Sequence, residues 1–390
     1  MKKILSIALA IMLVAVSLVG CAGDKDGGSG DSGKKAIKGP DITLITDKGN
    51  IDDKSFNQGS WEGVVEFATE NEIPHTYIKP EEDGDAGYLA AIELAIEGGA
   101  KVVVTPGFLF EVAVHNAQTE HPDVKFILLD GAPHEADSYD ADIKENVASV
   151  FYAEEQSGYL AGYAAVQEGM TQLGFMGGMA VPAVQAFGYG YLQGAEKAAE
   201  DLGLADGAIK SIYHYTGNFD ENDTNKATAK TMYQEGMEVI FACGGSVGKS
   251  VMSAAKESEG KVIGVDVDQR YDSDTVITSA MKGLGSSVVT ILDSIYKSDS
   301  FADYGGKSTT FSAANNGVSL PTEVIGEKDG NAFDRFEKFD KAQYETLLKT
   351  LENDEVEVKR VIDVADPSGN ASAAELTDQL GLKKVTVTTR

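Results

Sequence analysis

Acids, an amide and an aromatic ring stand close together in TDKGNIDDKSFNQGSWEG, residues 46–63. Asp47 offers a carboxylate, and Asn57 offers a side chain that both donates and accepts hydrogen bonds, so the two suit the polar edge of a flat ring. Phe56 offers a face on which such a ring can stack. These residue types favour recognition of a small ligand by hydrogen bonding and stacking.

The flanking sequence places this segment between a strand and a helix. DITLIT, residues 41–46, predicts a buried strand. After the segment, apolar residues recur at helical spacing: Trp61, Val64, Val65 and Ala68. The segment is therefore a strand-to-helix loop, the usual position of a ligand in an open α/β sheet. Phe56 begins the helix away from the apolar stripe, so we expect it to face a cleft while Trp61 enters the core.

Apolar runs and amphipathic segments alternate along the rest of the chain. The runs predict strands at KVVVTPG (101–107), VKFILLD (124–130), QLGFMGG (172–178), EVIFACGG (238–245) and KVIGVD (261–266). The segments between them predict helices at 85–97, 108–119, 182–202 and 247–258. This βαβ order predicts an α/β fold with parallel sheets covered by helices on both faces. Two successive blocks, roughly 41–150 and 153–278, predict two doubly wound lobes that face each other across a cleft.

Two acids and a second phenylalanine extend the candidate site. Asp130 and Asp266 each end a predicted strand, where a carboxylate can accept hydrogen bonds from a vicinal diol or a base edge. Taken singly, either acid is also explained as a helix N-cap or a solvated turn. Phe187, in VPAVQAFGYGYLQG, occupies a position in the second lobe that matches that of Phe56. Two such rings could sandwich a flat base, although each alone would more often be a core residue.

The segment 46–63 closely resembles the signature of the basic membrane protein family, lipoprotein receptors that capture purine nucleosides for ABC importers. The resemblance implies a bilobed type I periplasmic-binding-protein-like fold, with lobe 1 formed by 41–150 plus about 280–312 and lobe 2 by 153–278 plus about 313–390. It also implies a ligand-binding role for eight residues: Asp47, Phe56, Asn57, Asp130, Phe187, Gly245, Asp266 and Lys282. The rings of Phe56 and Phe187 would stack on the base, and Asp130 would contact its edge. Asp266, Lys282 and the Gly245 backbone would hold the ribose.

The resemblance further implies a binding protein without catalytic activity or cofactor, which delivers adenosine, guanosine or inosine to an ABC permease. The sequence departs from the family in two places. Lys48 follows Asp47, which changes the charge of the loop, and an acidic tail extends beyond about Pro321. The sequence assigns no role to this tail.

The N-terminus predicts export and lipidation. Lys2 and Lys3 precede an apolar run that ends in small residues before Cys21. We interpret 1–20 as a lipoprotein signal peptide, Cys21 as the lipidated residue and 21–40 as a flexible tether rich in Gly, Ser, Asp and Lys. The protein is then expected at the cell membrane, anchored by lipid and facing outside the cytoplasm. A plain N-terminal membrane anchor is the alternative.

Composition limits the partners. The 390 residues include 62 acids and 33 bases, a formal charge of −29 that becomes −31 once Lys2 and Lys3 leave with the signal peptide. Such a chain is repelled by nucleic acid and by anionic lipid. Cys21 and Cys243 are the only cysteines, so lipidation of the first leaves no intrachain disulfide. Five histidines without paired spacing give no indication of a metal site.

Some segments approach the patterns of functions other than a receptor. EVIFACGGSVGKS, residues 238–250, approaches a P-loop, but the position that requires the first glycine holds Cys243. An extracellular nucleoside hydrolase would need a cluster of aspartates with metal-ligand spacing, and DVDQRYDSD, residues 266–274, is better explained as one ligand-binding acid and a solvated turn. A receptor of the same fold for a sugar or an autoinducer stays open, because sugar sites also combine acids with stacking rings.

Overall fold

The computed structural model describes residues 39–138, 140–325 and 331–390. Cys21 and the predicted signal peptide lie outside these residues, as does nearly all of the predicted tether. Within them the chain forms two sheets flanked by helices, and the predicted α/β fold with two doubly wound lobes is confirmed. None of the helices formed by the described residues combines the length and the apolar character needed to cross a membrane.

The first sheet is parallel throughout and has the spatial order β11, β5, β4, β3, β1, β2. Its strands are β1 (Ile42–Ile45), β2 (His75–Ile78), β3 (Val102–Pro106), β4 (Lys125–Leu129), β5 (Val147–Tyr152) and β11 (Lys307–Phe311). Strands β1, β3 and β4 are almost wholly buried, as expected for a sheet covered on both faces. We call this sheet with its helices lobe 1.

The second sheet has the order β12, β10, β9, β8, β6, β7, β13, and only the short edge strand β12 is antiparallel. Its strands are β6 (Gln172–Gly177), β7 (Ile209–Tyr215), β8 (Val239–Cys243), β9 (Lys261–Asp266), β10 (Val276–Lys282), β12 (Val318–Ser319) and β13 (Val385–Thr389). We call this sheet with its helices lobe 2. Strand β11 thus returns to the first sheet and β12 to the second, while the lobe boundaries given above stay a prediction.

The helices between these strands are α1 (Phe56–Glu70), α2 (Asp85–Glu97), α3 (Glu111–Glu120), α4 (Glu154–Gln167), α5 (Pro182–Asp201), α6 (Asp223–Gln234), α7 (Val247–Ser258), α8 (Leu284–Tyr296), α9 (Lys341–Glu352) and α10 (Ala373–Leu380). Helix α5 packs closely on α4, and the absence of a side chain at Gly158 permits this contact. A Cβ at Gly158 would lie only 2.1 Å from the backbone oxygen of Phe187. This close approach fixes the position of Phe187.

The buried face of α1 differs in one respect from the sequence expectation. Val64, Phe67 and Ala68 are fully buried, whereas Trp61 is half-buried at the edge of the core. The Trp61 ring lies 5.5 Å from the rings of His75 and Tyr77, and Tyr77 is itself exposed. Trp61 thus packs against the core at its edge and is not fully enclosed by it. Phe67 is the aromatic residue that α1 buries completely, because it continues the stripe of Val64 and Ala68.

The C-terminal tail is part of lobe 2. The Glu168 carboxylate accepts hydrogen bonds of 2.7, 2.8 and 3.1 Å from the backbone N–H groups of residues 337–339. Glu196 binds the backbone N–H groups of residues 383–385 in the same way, at 2.8 to 2.9 Å. A carboxylate that accepts several N–H groups gives charge-assisted bonds. These two acids hold the tail on α4 and α5 and bring β13 beside β7.

Candidate functional site

A cavity of about 510 Å³ lies between the two sheets, at the carboxyl ends of their strands. All eight residues that the sequence proposed for the ligand line it: Asp47, Phe56, Asn57, Asp130, Phe187, Gly245, Asp266 and Lys282. The first four come from lobe 1 and the last four from lobe 2. The fold therefore brings together residues that are more than two hundred positions apart.

Asp53 fixes the start of α1 at the edge of this cavity. Its carboxylate accepts hydrogen bonds from the backbone N–H groups of Ser55, Asn57 and Gln58, at 2.8, 3.0 and 3.1 Å. These include donors of the first helical turn, which otherwise have no partner. Asp53 lies two residues before the N-cap Ser55, so its side chain satisfies these donors from outside the helix and holds Phe56 at the first helical position.

The Asn57 side chain holds Asp47 in place. Its amide nitrogen donates to Asp47 Oδ1 over 2.7 Å and to Asp53 Oδ2 over 2.9 Å, while its oxygen accepts the Asp47 N–H at 3.1 Å. Both amide hydrogens of Asn57 thus donate to acids of the same loop. In this arrangement neither hydrogen is free for the hydrogen bond to a base edge that the sequence predicts. Burial raises the pKa of Asp47 to about 6, although its hydrogen bond from Asn57 acts in the opposite direction.

Lys282 lies at the centre of a buried cluster of acids. Its ammonium forms an ion pair with Asp130, lies 3.2 Å from Glu154 Oε1 and 4.0 Å from Asp266 Oδ1. Burial disfavours its charge, but the three acids raise its pKa above the ordinary value, so we treat it as protonated. Burial raises the pKa of Asp130 to about 7 in spite of the ammonium beside it. The cluster therefore places one ammonium among three buried acids.

The backbone adopts left-handed φ values at or just after the ends of three strands that border the cavity. Asp130 follows β4 with φ 53°, Asp266 ends β9 with φ 66°, and Gly245 follows β8 with φ 54°. The left-handed region is costly for residues other than glycine and is common at ligand sites, where the surrounding structure enforces it. Asp130 Oδ1 is buried and has no hydrogen-bond partner among the described residues. It is available to accept a hydrogen bond from a ligand.

Two phenylalanine rings face this cluster from opposite lobes. The ammonium of Lys282 lies 4.8 Å from the ring centroid of Phe56 and 5.4 Å from that of Phe187. Phe56 is half-buried, whereas Phe187 is only 2% exposed and meets Phe241 edge-on at 5.9 Å. The arrangement gives two aromatic faces next to a set of charged donors and acceptors.

Sequence analysis missed several residues that line the cavity, among them Met179, Phe219, Glu154 and Arg360. Glu154 opens α4, where an acid is ordinary because it complements the helix dipole, so its position alone gave no reason to select it. Arg360 lies in an irregular segment of the tail, and no local pattern identifies it. Ser55 stands within the motif, but its hydrogen bond to Asp266 is visible only in the folded chain.

Comparison with known proteins agrees with this geometry. Residues 42–357 match the profile of the Bmp family, described as "ABC transporter substrate-binding protein PnrA-like". The chain is 31% identical over 343 residues to the "ABC transporter nucleoside-binding protein BmpA" of Lactococcus lactis subsp. cremoris, across 82% of this chain and 91% of that protein. It is 28% identical over 334 residues to "Basic membrane protein A" of Borreliella afzelii, across 82% of this chain and 98% of the other.

A solved solute-binding protein of an ABC transporter system, from Aeropyrum pernix K1, superposes with a TM-score of 0.68 over 84% of this chain and 93% of that one. The two are 22% identical, a level at which the likeness shows the fold. The family match covers most of the described chain, including all eight of the residues proposed for the ligand. The chain therefore belongs to the Bmp family of PnrA-like ABC transporter substrate-binding proteins.

Proposed function

We propose that this protein captures a purine nucleoside in the cavity and presents it to an ABC permease. The observation that carries the proposal is the position of Phe56 and Phe187, whose rings approach the Lys282 ammonium from opposite lobes. A flat base needs aromatic faces, and a ribose needs charged acceptors and a donor. The cavity offers both, and the Lactococcus lactis relative carries the name of a nucleoside-binding protein.

The base would lie between the two rings. Stacking on an aromatic side chain contributes about 1–3 kcal/mol per base. Asp47 and Asp130 stand on the lobe 1 side, and the unpartnered Oδ1 of Asp130 would accept an N–H group of the base. A purine carries such donors at its polar edge, which makes it a suitable ligand for these acceptors.

The ribose would contact Asp266, Lys282 and the backbone at Gly245. A carboxylate can accept hydrogen bonds from two neighbouring hydroxyl groups, and each bond to a charged group contributes about 1.5–3 kcal/mol. Lys282 would donate to a hydroxyl or ring oxygen. Since Gly245 has no side chain, the ligand can approach its backbone closely.

We propose that the bound nucleoside leaves chemically unchanged. The acids around Lys282 share one ammonium, an arrangement that suits hydrogen bonding to a polyhydroxyl ligand. Incubation of the protein with inosine tests this point. Recovery of intact inosine is the expected result, and release of hypoxanthine in proportion to protein would show a hydrolase.

The ligand that accompanies the purified protein tests the proposal directly. Denaturation should release a compound with the ultraviolet absorbance of a purine, in up to one equivalent per chain. A sugar or an autoinducer without a base would leave no such absorbance, and its identification by mass spectrometry would replace the nucleoside.

We further propose that lipid on Cys21 anchors the protein outside the cytoplasm, beside its permease. The small residues before Cys21 and the polar segment after it support this proposal. Cys21→Ser should release the protein from washed membranes without changing its ligand affinity. Retention of this variant in the membranes would favour an uncleaved N-terminal anchor.

A further inference from the structure

Arg360 lines the cavity although it lies beyond residue 357, where the family match ends. Its Nη1 donates to the backbone oxygen of Tyr152 at 2.6 Å and to Glu155 Oε2 at 2.7 Å, and it forms an ion pair with Glu154. The C-terminal segment therefore supplies a cation to the cavity wall at the junction of β5 and α4.

The backbone of this segment is fixed to lobe 2. The Gln193 side chain accepts the N–H of Lys359 at 2.8 Å and donates to its carbonyl oxygen at 2.8 Å, as a neighbouring strand would. Gln379 makes the same pair of contacts with the backbone of Asp363, at 2.8 and 2.6 Å. Helices α5 and α10 thus hold Arg360 from both sides, while its guanidinium reaches the end of a lobe 1 strand.

Glu154 lies between two cations. One of its oxygens faces Arg360, and the other lies 3.2 Å from the Lys282 ammonium without hydrogen-bond geometry. Its side chain is only 1% exposed, and a buried carboxylate needs compensation for the loss of water. Although burial opposes it, Lys282 and Arg360 together lower the pKa of Glu154. Without Arg360, Lys282 would be the one cation among the described residues that lies within ion-pair distance of Glu154.

We propose that Arg360 is a positioning residue of the ligand site. By compensating Glu154 it leaves the Lys282 ammonium placed for Asp130, Asp266 and the ligand, and it makes the tail beyond residue 357 part of the binding site. The consequence for the ligand rests on the nucleoside-binding function proposed above, whereas the electrostatic coupling to Glu154 exists in the ligand-free protein. Loss of Arg360 would draw Lys282 toward Glu154 and weaken its contacts on the ligand side.

Titration of the ligand-stripped protein with inosine tests the proposal. R360Q should bind about tenfold more weakly than the wild type. K359Q is the matched control, because it removes the same charge one residue away, and the Lys359 ammonium donates to the backbone oxygen of Gln379 at 3.1 Å instead of pairing with Glu154. K359Q should bind within about twofold of the wild type, a difference well under the 1.4 kcal/mol that corresponds to a factor of ten. Equal affinities of R360Q and K359Q would overturn the proposal.

A double-mutant cycle identifies the route of the effect. If Arg360 acts through Glu154, then E154Q and the double variant E154Q/R360Q should bind inosine equally well. A further loss in the double variant, equal to that of R360Q alone, would mean that Arg360 does not act through Glu154. Should R360Q fail to fold, the comparison of E154Q with the double variant decides the matter, since neither leaves an ionised Glu154 without its partner.

Thermal unfolding without ligand separates this proposal from the proposed function. A carboxyl whose pKa is lowered on folding contributes stability above its unfolded pKa and loses it as the pH falls. R360Q should therefore unfold at a lower temperature than K359Q at pH 7.5, and the gap should shrink toward pH 4. A gap independent of pH would overturn the coupling to Glu154. Failure of the wild type to bind any nucleoside, with this gap observed, would reject the nucleoside and retain the coupling.

Discussion

Ser55 Oγ donates a hydrogen bond of 2.5 Å to Asp266 Oδ2, although the two residues are 211 positions apart. Ser55 precedes α1 in lobe 1, and Asp266 ends β9 in lobe 2, so the bond crosses the cleft. Beside it, Gln269 Nε2 donates to the backbone oxygen of Lys54 at 2.8 Å. The loop that carries Phe56 is thereby joined to the opposite lobe next to the proposed ribose site.

Ser55→Ala should weaken nucleoside binding by about tenfold. The hydroxyl orients the Asp266 carboxylate, and a hydrogen bond to a charged group contributes about 1.5–3 kcal/mol, part of which a water molecule can replace in the variant. Calorimetric titration measures the change. Ser60→Ala is the control, since Ser60 is also buried but lies within α1 and donates to the backbone oxygen of Phe56 at 2.7 Å. Equal affinities of the two variants would assign Ser55 no part in binding.

The two phenylalanines should differ in their effect on folding. Phe56→Ala should weaken binding by about 1–3 kcal/mol with little loss of stability, because the ring is half-buried. Phe187→Ala should weaken binding by a similar amount and also lower the free energy of unfolding by about 3–5 kcal/mol, since the ring is 2% exposed and packs on Phe241. Sequence analysis gave no reason to separate the two.

Phe187→Leu distinguishes stacking from packing at this position. Leucine keeps most of the apolar volume but removes the aromatic face, so it should restore much of the stability and little of the affinity. Full affinity in the leucine variant, measured by calorimetry, would show that Phe187 serves the core alone.

The predictability of the site depends on whether its parts share a local pattern. The position of Asp130 and Asp266 in the cavity wall could be predicted, because a carboxylate at the end of a buried strand reaches the edge where ligands bind in such folds. Arg360 could not, because its partner Glu154 lies 206 positions away and the segment between α9 and α10 has no periodicity. The sequence also could not show that Asn57 donates to Asp47 and Asp53. Side-chain partners depend on loop geometry, which residue types alone do not specify.

The fold was predictable for a similar reason. Alternating buried strands and amphipathic helices specify parallel sheets, and both sheets are present. The position of Trp61 was not predictable from spacing, since it lies on the same helical stripe as Val64 yet at the edge of the core. How far along a stripe burial extends depends on the neighbouring strand, here β2 with its exposed Tyr77.

Nucleoside affinity should increase as the pH rises from 5 to 7. Burial raises the pKa of Asp47 to about 6, and only the ionised carboxylate accepts hydrogen bonds with both oxygens. In the ligand-free protein the sign is reversed, because stability linked to the protonated form is lost as the pH rises from 3.8 through about 6. Asp47→Asn should remove the part of the pH dependence centred near pH 6, leaving a part nearer pH 7 that belongs to Asp130, whose pKa is about 7. An unchanged profile in this variant would exclude Asp47.

Asp266 should distinguish ribose from deoxyribose. A 2′-deoxynucleoside should lose roughly 1–3 kcal/mol, about one to two decades in affinity, because the buried carboxylate loses a hydroxyl partner. Asp266→Ala should erase most of this difference, as measured by competition between inosine and 2′-deoxyinosine. Asp272→Ala is the control, since it removes the same charge from an acid that is not among the cavity-lining residues and whose ion pair is with Lys54 at 3.8 Å. If D266A keeps the full preference for ribose, then Asp47 or Asp130 contacts the hydroxyl.

Calorimetric titration of the ligand-stripped protein with inosine, adenosine, guanosine and free ribose tests the central claim. The account predicts saturable binding of at least one nucleoside with one site per chain, and binding of ribose weaker by several decades, because ribose offers nothing for Phe56 and Phe187 to stack on. Tight binding of a sugar, with no heat from any of the three nucleosides, would contradict it.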